Sequence, residues 1–336
     1  MTDRKVIAEI GSCGGDLQLA IDTAQAALEA GAWLVKGQGY RADTLVTKGA
    51  PTYGKGLGEP ATQYEAFSKA LTQEEWEQVA AVVPGQFALS IFDEEWLDGY
   101  PWGYLKIASA DITYKPLIEK AAATGANLIM STGASTVEEI NRALGWCGAN
   151  KPTLMVCTLA YPTEPEDANV ARVKTMLATY PHVGYSDHTR GVYAAALAFE
   201  YGAQMVEKHF TIRPGEGGDH DFGITPDELT ALVNGAAGYE EDPIPDRDLL
   251  AGSPVIRPYD AEYAARTLAR RGVYAAVDIP AGSIITRDQL AFLRPATNIA
   301  PWMVDTLNGS PVGALAHDDI PADTALSSLL FSLTIE

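Results

Sequence analysis

Short apolar runs rich in β-branched residues recur along the chain, and amphipathic stretches separate most of them. Residues 5–11, 33–38, 87–93, 104–109, 127–133, 154–160, 183–188 and 205–210 read as strands. Helical spacing predicts helices between them, among these 17–30, 136–146, 168–179 and 192–201. Capping boxes mark helix starts: Thr72 with Glu75, Ser135 with Glu138, and Thr225 with Glu228, where Pro226 takes the first helical position. Eight strands alternating with helices over residues 1–240 predict an α/β fold, a (β/α)8 TIM barrel. The alternative is a doubly wound open sheet, which usually carries a GxGxxG turn after its first strand. Here that turn reads Gly11-Ser12-Cys13-Gly14-Gly15.

The pattern changes after residue 240. Residues 241–265 open on proline and charge and read as an exposed linker. Residues 266–336 read as a small β-rich module, with strand-like runs at 272–276, 279–282, 284–286 and 319–322. A unit of that size is marginal alone, so docking on the barrel or on a second subunit is expected.

Charge narrows the choice of partners. The 336 residues are 47% hydrophobic and carry a formal net charge of −20. Such a surface repels nucleic acid and anionic lipid, so neither is expected as a partner, and an anionic substrate must be met by locally placed cations. The opening residues show no apolar core of a secretory signal, and no run approaches the length of a bilayer span, so a cytoplasmic protein is expected. Cys13, Cys147 and Cys157 form no CxxC pair and suggest no disulfide framework.

In a barrel, chemistry sits at the C-terminal strand ends, and here those ends are polar. Glu9 closes strand one, Lys36 and Gln38 strand two, and Lys106 and Ser109 strand four, with Asp111 just beyond. Ser131 closes strand five, strand six runs into Tyr161, strand seven ends Ser186-Asp187-His188, and strand eight carries Glu207 and His209. A single strand-end lysine ordinarily snorkels to water, and a serine before a helix is usually a cap. Seven of eight strands ending this way points instead to one shared mouth. His188 and His209 fall at equivalent ends of neighbouring strands, about 5 Å apart. With Glu207, Asp187 and Glu9 nearby they suit a divalent ion such as Mn²⁺, Zn²⁺ or Fe²⁺, although two satisfied, partly buried histidines would give the same spacing. Lys36 and Lys106, with Ser109, Ser131 and Ser186, offer a cradle for a phosphorylated carboxylate.

Read in order, these stretches resemble the sialic acid synthase family, which makes N-acetylneuraminate, legionaminate and pseudaminate from phosphoenolpyruvate. The resemblance is carried by Ala8-Glu9-Ile10-Gly11, Val35-Lys36-Gly37-Gln38, Leu105-Lys106-Ile107-Ala108-Ser109-Ala110-Asp111 and Met130-Ser131-Thr132-Gly133. It continues through Tyr161-Pro162-Thr163, Gly184-Tyr185-Ser186-Asp187-His188-Thr189, Val206-Glu207-Lys208-His209-Phe210-Thr211 and Gly218-Asp219-His220. The stretches beginning Arg271-Gly272-Val273, Asp278-Ile279-Pro280 and Leu293-Arg294-Pro295 resemble the family's C-terminal antifreeze-like (SAF) domain.

The resemblance implies a barrel whose small domain is swapped onto the partner's active site in a homodimer. It implies that His188 and His209 bind a metal, usually Mn²⁺, and that Lys36, Lys106, Ser109, Ser131 and Ser186 hold phosphoenolpyruvate. Glu9 would be an acid at the reacting centre. Gln38, Asp111, Tyr161 and Asp219 would surround a sugar-like aldehyde acceptor, with Arg294 supplied by the small domain. The chain departs from the family pattern at Ser12–Gly15, where an Asn-His pair is usual, and at Gly37, Leu89, Ile91, Ala110 and Leu159. These departures suggest an altered acceptor. Two other readings stand beside the synthase: a different metal-dependent barrel aldolase or phosphoenolpyruvate-condensing enzyme, and a binding protein that has retired its catalysis.

Overall fold

The computed structural model describes residues 4–52, 62–235, 246–305 and 310–333. Eight parallel strands close into a barrel in sequence order. They are β1 (Val6–Gly11), β2 (Leu34–Gly39), β3 (Phe87–Ile91), β4 (Tyr104–Ile107), β5 (Asn127–Ser131), β6 (Thr153–Cys157), β7 (Val183–Asp187) and β8 (Val206–His209). Closure comes from β1 pairing with β8, with Glu9 opposite His209. The alternation of runs thus predicted the barrel, and the open-sheet alternative falls with the closed strand order.

The strands are buried along nearly their whole length because helices cover the outside, which is why they read as continuous apolar runs. Leu17–Glu29 places Leu19, Ala20, Ala24 and Ala27 inward, and Gln73–Val82 places Trp76, Val79 and Ala80 there. Capping boxes open the helices at Thr72–Glu75 and Thr225–Glu228, as expected. The third box lies one residue later than expected, at Thr136 with Glu139. The Ser135 hydroxyl is buried and donates to the Gly133 carbonyl, so it is not available to cap.

The small module begins with β9 (Gly272–Ala275), which pairs antiparallel with β10 (Leu290–Leu293). β11 (Ala314–Ala316) pairs with β12 (Phe331–Leu333). Strand-like runs near 279, 284 and 320 form only isolated bridges, Ile279 to Ile320 and Ile284 to Leu315. Of the expected linker, 241–245 lies outside the described residues. From 246 onward the segment is anchored: a helix spans Arg247–Ala251 with Leu250 buried, and Glu262 is fully buried. Among the described residues, no helix is long and apolar enough to cross a membrane.

Candidate active site

Side chains alternate along a strand, and this parity decides which of them reach the mouth. Twelve of the thirteen residues expected at the site line one cavity of about 550 Å³. They are Glu9, Lys36, Gln38, Lys106, Ser109, Ser131, Tyr161, Ser186, His188, His209, Asp219 and Arg294.

The floor is a buried charge cluster. The Lys36 ammonium pairs with Glu9 Oε2 and donates to Ser90 Oγ at 2.7 Å. Lys106 pairs with Glu207 Oε1, which also lies 3.8 Å from Lys36 and 3.4 Å from Ser186 Oγ. Glu9 Oε1 accepts from the Gly11 amide at 2.9 Å and from Gln38 Nε2 at 3.0 Å. Burial works against charge on Lys36, Lys106 and Glu207, yet for two of the three the partners outweigh it. For Glu207 burial is outweighed by Lys106 and Lys36, which bring its carboxyl down to about 2. For Lys36 burial is outweighed by Glu207 and Glu9, which push its ammonium up, whereas burial together with the repulsion of Lys36 leaves Lys106 lowered. Among the described residues, Ser131 Oγ and Glu207 Oε2 find no hydrogen-bond partner.

Above the floor the His188 and His209 rings lie with centroids 5.3 Å apart. His188 Nδ1 lies 2.8 Å from the Thr158 carbonyl, so it carries the proton and donates, leaving Nε2 as the basic nitrogen. Burial, with help from His209, lowers the His188 pKa to about 3, so the ring is neutral, the form a metal needs. His209 Nδ1 is 3.2 Å from Asp219 Oδ2, and that carboxylate outweighs burial to raise the His209 pKa. Gly11 has φ +67°, and a Cβ there would come within 3.0 Å of Asp219 Oδ2, so glycine keeps this carboxylate close to the ring. Tyr161 stacks at 4.2 Å from His188, and Phe222 at 4.8 Å from His209. Among the described residues, no group of three or more His, Cys, Asp and Glu side chains is arranged to hold a metal. The expected third carboxylates are engaged elsewhere: Glu9 and Glu207 with the lysines, and Asp187 with Lys208.

Asp111 is the residue the structure does not bring to the cavity. It is fully buried, its Oδ1 accepts from Arg271 Nε at 2.8 Å, and its Oδ2 lies 3.8 Å from Arg294. Arg271 was not singled out as a site residue, yet its remaining donors bond the carbonyls of Thr44, Phe292 and Phe92, and it stacks 4.6 Å from the Tyr114 ring. Asp111 therefore lies against two arginines of the module and does not line the cavity. Arg294 is held at the mouth by its backbone, which bonds Leu45 and Thr47. The resemblance implies an arginine from a partner subunit; in this structure the chain's own module supplies it. Two further contacts seat the module's approach. The Glu262 carboxylate accepts from the amides of Ala134 and Leu159, and Arg266 and Arg270 clasp Glu139.

The departures from the family pattern divide by parity. Lys36, Gln38 and Ser90 face in, so Gly37, Leu89 and Ile91 face out and do not line the cavity. Gly37 is explained by Trp76, whose ring would lie 2.4 Å from a Cβ at that position. Ser12, Cys13, Gly14, Ala110 and Leu159 do line the cavity. The Cys13 and Cys157 thiols are buried and pushed up to about 12, mainly by desolvation, so they are inert packing groups.

Two family models match the chain, the NeuB family over residues 23–242 and the SAF domain over residues 270–327. The chain is 34% identical to N,N'-diacetyllegionaminic acid synthase of Legionella pneumophila, covering 91% of this chain and 89% of that protein. It is 30% identical to pseudaminic acid synthase of Helicobacter pylori, over 96% of each. The solved structure of the spore coat polysaccharide biosynthesis protein SpsE of Bacillus subtilis superposes with a TM-score of 0.79 at 27% identity, covering 99% of this chain and 96% of that one. On the extent of the family match and the identity to these relatives, the chain belongs to the NeuB family.

Proposed function

We propose that the protein is a synthase that condenses phosphoenolpyruvate with a sugar-like aldehyde of the N-acylated hexosamine type, giving a nonulosonic acid and inorganic phosphate. The observation that carries this reading is the pairing of two buried lysines on the cavity floor with two adjacent histidines above them. Family membership and the names of two of the relatives, the legionaminic and pseudaminic acid synthases, support it.

Lys36 and Lys106, already held by Glu9 and Glu207, receive the phosphate and carboxylate of phosphoenolpyruvate with little reorganisation, which is the condition for strong electrostatic catalysis. The hydroxyls of Ser109, Ser131 and Ser186 complete the cradle, Ser131 from an unpartnered Oγ. In the reaction the enol carbon bonds to the aldehyde carbon, water adds to C2, and phosphate leaves. Glu9, held by the Gly11 amide and Gln38, is placed to orient that water. Arg294, Gln38, Tyr161 and Asp219 border the space left for the acceptor. The donor set of two imidazoles, one neutral with its Nδ1 anchored, fits a divalent ion with open positions. His188 and His209 would hold it, with Mn²⁺ as the candidate, and when bound it would supply Lewis acidity toward the acceptor's aldehyde oxygen. A homodimer that exchanged the small module would reproduce the contacts described above between its subunits.

The test is phosphate release from phosphoenolpyruvate with Mn²⁺ and a panel of N-acylated hexosamines, with mass detection of the keto acid. Release that requires one acceptor and is lost with a chelator supports the reading. Binding of phosphoenolpyruvate without release by any aldehyde would favour a retired enzyme and sink it.

A further inference from the structure

Asp187 and Lys208 sit directly opposite one another in the register of β7 on β8, and each immediately precedes one of the two histidines. By alternation they point away from the cavity that Ser186, His188, Glu207 and His209 line, into the layer between sheet and helices. Both side chains have no solvent exposure. Lys208 Nζ donates to Asp187 Oδ2 at 2.9 Å and to the Thr189 carbonyl, while Asp187 Oδ1 accepts from the Thr189 amide at 2.8 Å. One ammonium and one carboxylate thus tie the backbone on the far side of His188 to the strand that carries His209.

A buried ion pair is a poor way to gain stability, because both ions lose their hydration and apolar replacements are often neutral or better. What such a pair does supply is geometry. A one-residue slip of a strand moves its side chains to the opposite face, and the pair forms only in one register. We propose that Asp187 and Lys208 are positioning residues that fix β7 against β8 and pin the turn at Thr189, so setting the separation of the two imidazoles. The proposal rests on the reading that His188 and His209 hold a divalent ion.

The test uses the full-length, metal-free protein titrated with Mn²⁺, free ion being read by its electron paramagnetic resonance signal. Circular dichroism melting of the same samples without metal reports folding. D187N/K208M, which removes both charges, is expected to bind Mn²⁺ about 10-fold more weakly, the low end of what is lost with a group bonded directly to a ligand, because these two act through the backbone, with a metal-free melting temperature near the parent's. K208R, which keeps the charge but not the ammonium's compact geometry, is expected to bind Mn²⁺ more tightly than the double variant and more weakly than the parent. Should the double variant fail to fold, D187N carries the test, because it keeps the shape and one of the two acceptor oxygens while a donor takes the place of the other; weaker Mn²⁺ binding is again expected. Parent affinity in D187N and in a folded double variant overturns the positioning role. A parent protein that binds no Mn²⁺ overturns the metal reading itself, before any variant is compared.

Discussion

The floor of the cavity and its rim are made from different parts of the chain. On the floor, Glu9, Lys36, Lys106 and Glu207 come from four strands, are buried, and neutralise one another before any ligand arrives. On the rim, Leu159 and Tyr161 follow β6, Asp219 follows β8, and Arg294 arrives from the module. The floor is fixed by hydrogen-bonded strands, whereas the rim is held by contacts such as Glu262 on the Leu159 amide and Arg271 on Asp111. A substrate component common to a family belongs on the rigid part, and the component that varies belongs on the part that loops can remodel.

That division predicts where substitutions act. The largest effect is expected on the floor. K106M/E207Q, which removes an ion pair without stranding either charge, should lower kcat/KM for phosphate release by about 10²–10³-fold. Direct titration should show the loss in phosphoenolpyruvate binding; if only the acceptor's KM moved, floor and rim would not be separate. On the rim, L159N is expected to leave phosphoenolpyruvate binding unchanged. It should lower kcat/KM for an acceptor bearing a methyl group, relative to its hydroxymethyl counterpart, by about tenfold. Competition between the two acceptors, read by mass, measures that ratio.

The smallest effect lies in the seat of the module. Burial would raise the Glu139 carboxyl, but bonds from Arg270 and Arg266 bring it down to about 2. A depressed folded pKa contributes stability above the ordinary carboxylate range and loses it as pH falls through the folded value. E139Q should therefore cost about 1 kcal/mol near neutrality. The melting-temperature difference from the parent should shrink between pH 4.5 and about 2. A difference that held constant across that interval would remove the charge from the account.

The same division explains what could be read from the chain. Floor residues lie on strands, where the period of two fixes direction, so Glu9, Lys36 and Lys106 could be placed by counting. Counting parity also shows that Gly37, Leu89 and Ile91 face outward, a signal present in the sequence that the acceptor reading of those positions did not use. Asp111 was harder. It closes a three-residue turn, Ser109–Asp111, beyond β4, so strand parity no longer applies, and its partner Arg271 is 160 residues away. The tail strands are only three or four residues long, too short for a periodic signal, and their pairing is set by tertiary contact.

The fit of Trp76 over Gly37 carries a consequence for how such a barrel can change over generations. A Cβ at Gly37 would lie 2.4 Å from the indole, so no larger residue can enter there while the tryptophan remains. Removing the tryptophan first would open a void beneath β2 worth about 3–5 kcal/mol. Neither step is neutral alone. The two positions form one heritable unit, and a lineage that acquired this pair is confined to it unless both codons change in quick succession or stability gained elsewhere covers the interval.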